Sequence, residues 1–166
     1  VGSTIEAGRL TAEKMLGYTI STDDDEDEGE EDDVRTSALY RLTTDEQEHL
    51  EAFARALGEN ADEDPKPVAI TEKLSGGWLE CGCIIFSQYY DSVFWLAQTI
   101  SQRLPEETIA VYASAGRSGF VRDGKFSPIT RNKIKRQVQS GQIRLILGTD
   151  ATSEGYNLQR LRCLIN

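Results

Sequence analysis

The sequence predicts an α/β domain, three-layered, with a parallel sheet covered by helices on both faces and a helical N-terminal appendage. Three observations lead there. Short aliphatic runs recur at Cys83–Phe86, Ile109–Tyr112 and Ile143–Leu147, each suited to a strand buried on both faces. The segments between them carry helical periodicity and are long enough for crossover connections. Upstream of Pro65 the pattern is helical or charged instead.

Taken in order, Ser3-Thr4-Ile5-Glu6 has capping-box spacing ahead of a helical stretch ending at Gly17. Residues 23–33 read DDDEDEGEEDD, a run that repels itself and buries nothing. It is expected to be a solvated insertion; the alternative is an acidic arm that contacts a basic protein or competes for a nucleic-acid site. Thr44-Asp45-Glu46-Gln47 is a second capping box, followed by an apolar stripe of Leu50, Phe53, Ala54 and Leu57 and a stop at Gly58. The acidic stretch 59–64, closed by Pro65, marks a boundary. Residues 1–64 are thus expected to form a helical lead-in, and residues 65–166 the α/β part.

Beyond the boundary, Val68, Ile70 and Leu74 suggest a helix that runs out at Gly76-Gly77. After the first strand, Asp91 is expected to cap a helix bearing Phe94, Trp95, Ala97, Ile100 and Leu104, broken by Pro105. The second strand leads into a loop, residues 114–125. Ser127-Pro128 reads as a cap with proline at the first helical position, opening a helix with Arg131, Lys133, Lys135 and Arg136 that stops at Gly141. The third strand ends in Gly148-Thr149-Asp150, a polar turn follows, and Leu161–Ile165 is a further strand. The opening valine and the closing apolar stretch predict a piece of a longer chain, with the sheet cut at its C-terminal side.

Composition narrows the function. The formal net charge of −10 is split: residues 1–64 hold 20 acidic and 5 basic side chains, residues 65–166 hold 8 and 13. The second part is therefore basic enough to meet an anionic partner. One histidine, His49, in a Glu-rich helix, leaves little for a Ser-His-Asp hydrolase or a multi-histidine metal site. Cys81, Cys83 and Cys163 lack zinc or redox spacing and read as small core residues in a reducing cytoplasm. No apolar run approaches membrane-spanning length, so no membrane partner is expected.

Three strand ends carry polar groups: Ser87-Gln88, Ser114-Ala115-Gly116-Arg117, and Thr149-Asp150 with Gly155 and Asn157. Right-handed crossovers bring such ends to one edge of the sheet, where ligands of open α/β sheets bind. Hydroxyls, glycine amides and helix starts suit phosphate oxygens, and Arg117, Arg122, Lys125 and Arg131 are expected to add charge there. No base-reading pattern is present, so contacts should be sequence-independent and salt-sensitive. Loops need polar residues in any case, and residues 133–136 fit a solvated face equally well.

Ile84-Ile85-Phe86-Ser87-Gln88-Tyr89 with Asp91-Ser92 resembles motif IV of Swi/Snf-type ATPases in helicase superfamily two. Residues 144–157, with the core TDATSEGYNLQ, resemble their motif V, closest to the bacterial members, and the helix at 131–141 fits the same pattern. The resemblance implies most of the second RecA-like lobe of an ATP-driven DNA translocase or helicase in the bacterial cytosol or nucleoid. It implies nucleic-acid backbone contacts for Ser87, Gln88 and Thr149, to which the loop charges read above add Arg117 and Arg131. It implies coupling roles for Asp150 and Glu154, and nucleotide contacts for Gly155 and Asn157. Asn157 stands where the DEAD-box pattern has an aspartate.

The sequence contains no GxxxxGK followed by Ser or Thr and no DExH-like box. ATP and magnesium are therefore expected to be held mainly by the N-terminal RecA-like lobe of the parent protein. No catalytic residue, no metal site, no bound cofactor and no ATP hydrolysis are expected of these residues alone. Two other classes stay open: a non-catalytic interaction module built on the acidic run, and a small-molecule-binding α/β domain, which lacks the expected GxGxxG. Residues 161–165 are also expected to leave an edge through which a non-biological dimer could pair.

Overall fold

In a computed structural model of the 166-residue chain, residues 4–17, 42–114, 116–149 and 160–166 are described. The acidic run 23–33 lies outside them. The chain divides into two compact units, Ile5–Glu63 and Asp64–Asn166 with Thr4.

The first unit contains α1 (Ile5–Met15) and α2 (Thr44–Glu59), packed on one another. Glycines let them approach closely: a Cβ on Gly8 would stand 3.3 Å from Leu57 Cδ1, and one on Gly58 3.2 Å from Arg9 Cδ. Helix α2 is capped one residue earlier than its sequence suggests. The Glu46 amide donates to Thr43 Oγ1 (3.3 Å) and the Thr43 amide to Glu46 Oε2 (2.8 Å). The register follows Glu46, whose carboxylate outcompetes the Gln47 amide as an acceptor. Phe53, expected on the apolar stripe, is 54% exposed, while Ala54 is buried.

The second unit opens with α3 (Pro65–Lys73), capped by the buried Asp64, which accepts from the Lys66 amide at 3.0 Å. Its last turn widens over Leu74–Trp78, where Gly77 takes φ +108°, and one more turn, Leu79–Cys81, precedes the sheet. The remaining elements are β1 (Cys83–Ser87), α4 (Tyr90–Arg103), β2 (Ile109–Tyr112), β3 (Gly119–Arg122), β4 (Lys125–Pro128), α5 (Arg131–Ser140), β5 (Leu145–Thr149) and β6 (Cys163–Ile165). The strand order is β4-β3-β2-β5-β1-β6. Strands β2, β5, β1 and β6 are mutually parallel; β3 and β4 add antiparallel at one edge.

Strand alternation splits the core into two layers. Cys83, Ile85, Ile109, Val111, Leu145 and Leu147 pack with Ile70 of α3 and Val93, Leu96, Ala97 and Ile100 of α4. Ile84, Ala110, Tyr112 and Ile146 face the other way, against Ile134 and Val138 of α5. The expected three-layer α/β architecture is present.

Three local expectations are corrected. The stretch expected to be a loop at 114–125 contains β3, and Ser127-Pro128 ends β4 instead of opening a helix. Asp123 (φ +49°) and Gly124 (φ +71°) form the two-residue turn of this hairpin, with both residues left-handed. Helix α5 starts at Arg131 behind Thr130, and Gly141 (φ +79°) ends it as expected. Helix α4 begins at Tyr90, because Tyr89 itself takes an extended backbone (φ −109°, ψ 134°) after the bend at Gln88; Asp91 sits in the first turn, not at the cap.

Candidate nucleic-acid interface

Parallel pairing brings the ends of β1, β2 and β5 to one edge. Ser87 is the register partner of Thr149, and Tyr112 that of Gly148. Ser87 and Thr149 share the face toward α4, since they continue the alternation of Ile85 and Leu147. Helices α4 and α5 both start at this edge, after β1 and after the hairpin.

Each helix start carries a guanidinium laid on an aromatic ring. Arg117 stands 5.2 Å from the ring centre of Tyr90, and Arg131 5.3 Å from that of Tyr112. Arg131 Nε also donates to the Ala113 carbonyl at 2.7 Å. Stacking and the hydrogen bond fix the orientation of each guanidinium while leaving N–H groups for an incoming oxygen anion. Both arginines are exposed, and among the described residues neither is ion-paired with a carboxylate. Burial raises the pKa of the Tyr90 hydroxyl, and the charge of Arg117 opposes that rise.

The loop after β2 is braced. The Ser118 hydroxyl accepts from the Ala113 amide (3.0 Å) and donates to the Ala113 carbonyl (2.9 Å). The Arg117 amide donates to the Ser114 carbonyl at 3.2 Å, with Gly116 at φ +84° in the turn. Gly119 is required behind the brace: a Cβ there would lie 2.4 Å from the Phe126 ring and 2.5 Å from the Ser127 carbonyl oxygen.

Gln88 is exposed, Thr149 half-buried and Ser87 buried, its hydroxyl oxygen without a hydrogen-bond partner among the described residues. Among the described residues Gln88, Ser114, Arg117 and Arg131 are exposed at this edge. Asp150, Glu154, Gly155 and Asn157 lie outside the described residues. Arg122 and Lys125 do not join the edge. They flank the hairpin turn, past the Ile109–Val121 pair at the beginning of β2, and Arg122 reaches Glu106 (3.7 Å) and the Pro105 carbonyl (3.5 Å). An antiparallel strand returns its far end to the opposite side of the sheet, which reading residues 114–125 as one loop could not reveal.

A family profile described as the helicase conserved C-terminal domain matches residues 80–166, just over half of the chain. The chain belongs to this family. No curated protein matches it closely enough to count as a relative. The matched span begins one turn before β1 and takes in the whole sheet, so the α/β unit is a superfamily-two helicase C-terminal lobe of RecA-like form.

Tyr90, Tyr112 and Ser118 were not singled out from the sequence. A tyrosine at a helix start and another at a strand end carry no signal until an arginine is known to lie above them. Among the described residues no helix is long and apolar enough to cross a membrane, and no cluster of His, Cys, Asp and Glu could hold a metal ion. His49 is exposed, its Nδ1 2.7 Å from the Asp45 carbonyl oxygen. Among the described residues the edge offers hydrogen-bond donors and fixed positive charge, the chemistry that suits phosphate oxygens.

Proposed function

We propose that this helicase C-terminal lobe is of the Swi/Snf type and serves a bacterial ATP-driven DNA translocase or helicase. It grips one backbone of duplex DNA through the edge of β1, β2 and β5. Arg117 and Arg131 carry the charge, and Gln88 and Thr149 add hydrogen bonds. Ser87, buried behind them in register with Thr149, completes the set. Asp150 and Glu154 would couple this grip to a nucleotide touched by Gly155 and Asn157 and held, with magnesium, by the N-terminal RecA-like lobe. The observation that supports the reading best is the pair of ring-mounted guanidinia at the starts of α4 and α5.

Such a site reads charge and spacing, not bases. Binding of a labelled duplex should therefore be independent of sequence and weaken steeply with salt. A dissociation constant unchanged by salt would overturn the reading. Because the sequence has no phosphate loop, the purified chain should show no DNA-stimulated ATP hydrolysis. Measurable turnover that rises with added duplex would contradict the proposed division of the ATP site.

A further inference from the structure

We propose that Cys81 and Cys163 are an oxidisable pair that forms a disulfide across the β1–β6 edge, on the side of the sheet opposite the DNA-binding edge. The placement of the two thiols follows from Gly82. At φ +76° and ψ 131°, Gly82 turns the chain just before β1, where a Cβ would meet Leu161 Cδ2 at 2.8 Å and the Arg160 carbonyl oxygen at 2.9 Å. The turn sets Cys81 beside the start of β6. The Arg162 amide lies 3.3 Å from the Cys81 carbonyl oxygen and 3.0 Å from that of Gly82, and the Cys163 amide donates to Gly82 at 3.1 Å. Cys81 is a close enough neighbour of Cys163 to raise the pKa of its thiol. These bonds lay residues 81–82 against residues 162–163; a disulfide requires a Cα separation of about 4.4–6.8 Å.

The third cysteine is unsuited to the reaction although it is the ladder partner of Cys163. Cys83 is fully buried, its thiol lies 3.7 Å from the Ile84 carbonyl oxygen, and burial pushes it up to about 12. Cys81 is exposed and lines an open cavity of about 580 Å³ together with Arg144, Arg160 and Arg162. Arg144 is paired with Glu107, while Arg160 and Arg162 have no ion pair among the described residues. The cavity admits a small peroxide to Cys81, whose thiolate form is the nucleophile. Cys163 is half-buried, and burial and Cys81 both raise its pKa, which fits the second, resolving thiol.

The chemistry balances with a hydroperoxide as oxidant. The Cys81 thiolate attacks one peroxide oxygen; the S–O bond forms, the O–O bond breaks, and with hydrogen peroxide the other oxygen leaves as water after taking a proton. The Cys163 thiolate then attacks the sulfenic sulfur; the S–S bond forms and hydroxide leaves, taking the second proton. Two thiols lose two electrons and one peroxide becomes two waters.

The test is non-reducing peptide mapping of the full chain after treatment with hydrogen peroxide. Free thiols should fall from three to one per chain, with Cys81 and Cys163 in one cross-linked species that dithiothreitol reverses. C81S and C163S should each abolish the cross-link, and C83A should keep it. Tandem fragmentation of the wild-type species identifies the bonded cysteine even if C83A fails to fold. A bond between Cys83 and Cys163, only intermolecular bonds, or direct passage of Cys81 to the sulfinic acid would each overturn the proposal.

Discussion

Replacing Arg117 and Arg131 together by alanine tests whether the edge of β1, β2 and β5 grips DNA. The structure holds two guanidinia at this edge, each fixed by an aromatic ring and neither neutralised by a carboxylate among the described residues. Each phosphate contact contributes a slope of about 0.9 to the plot of log affinity against log salt. Losing two should therefore lower the slope by about 1.8 and, for a fourfold rise in salt, remove about twelvefold of the salt-induced loss in affinity. The assay is fluorescence anisotropy of a labelled random-sequence duplex titrated at several salt concentrations. The control is K133A/R136A, exposed positions on α5 that the competing view treats as a solvated face. If the control lowers the slope and R117A/R131A leaves it unchanged, DNA runs along the face of α5 and the reasoning fails. Neither pair removes a buried group, so a loss of fold would show separately in the circular dichroism of both variants.

Three further outcomes follow from the packing. G119A should destabilise the chain by about 1–3 kcal/mol in urea unfolding, because the new methyl overlaps the Phe126 ring and the Ser127 carbonyl oxygen; an unchanged midpoint would mean that the hairpin yields freely. Cys83 has a folded pKa of about 12 against an ordinary 9.0, so its stabilising effect is complete below about pH 9 and is lost as pH rises toward 12, at up to about 1.4 kcal/mol per pH unit. Wild type should therefore lose stability more steeply than C83A over that range, and parallel pH profiles would refute the assignment. Finally, among the described residues β6 pairs only with β1 and presents Leu164 at 57% exposure, so concentration-dependent dimerisation in sedimentation should weaken in L164K; a dimer indifferent to that change would not use this edge.

The sequence alone determined the α/β class, because apolar runs fully buried in a parallel sheet must be continuous, and helices on both faces must separate them. It likewise located β1, β2 and β5, the stop at Gly141, and the polar strand ends that meet at one edge. The hairpin β3–β4 was signalled only by Asp123-Gly124, and its strands Gly-Phe-Val-Arg and Lys-Phe-Ser-Pro are too short and mixed to assert a period. Whether Thr43 or Thr44 caps α2 depended on one acceptor, and whether Asp91 caps α4 depended on the extended backbone of Tyr89. Only the tertiary structure decided which cations belong to the edge. Arg117 and Arg131 gain their geometry from Tyr90 and Tyr112, residues 27 and 19 positions away, whereas Arg122 and Lys125 are carried to the far side by an antiparallel strand. Charge is visible in a sequence, but its position relative to a sheet edge depends on strand direction and long-range packing, which local patterns do not encode.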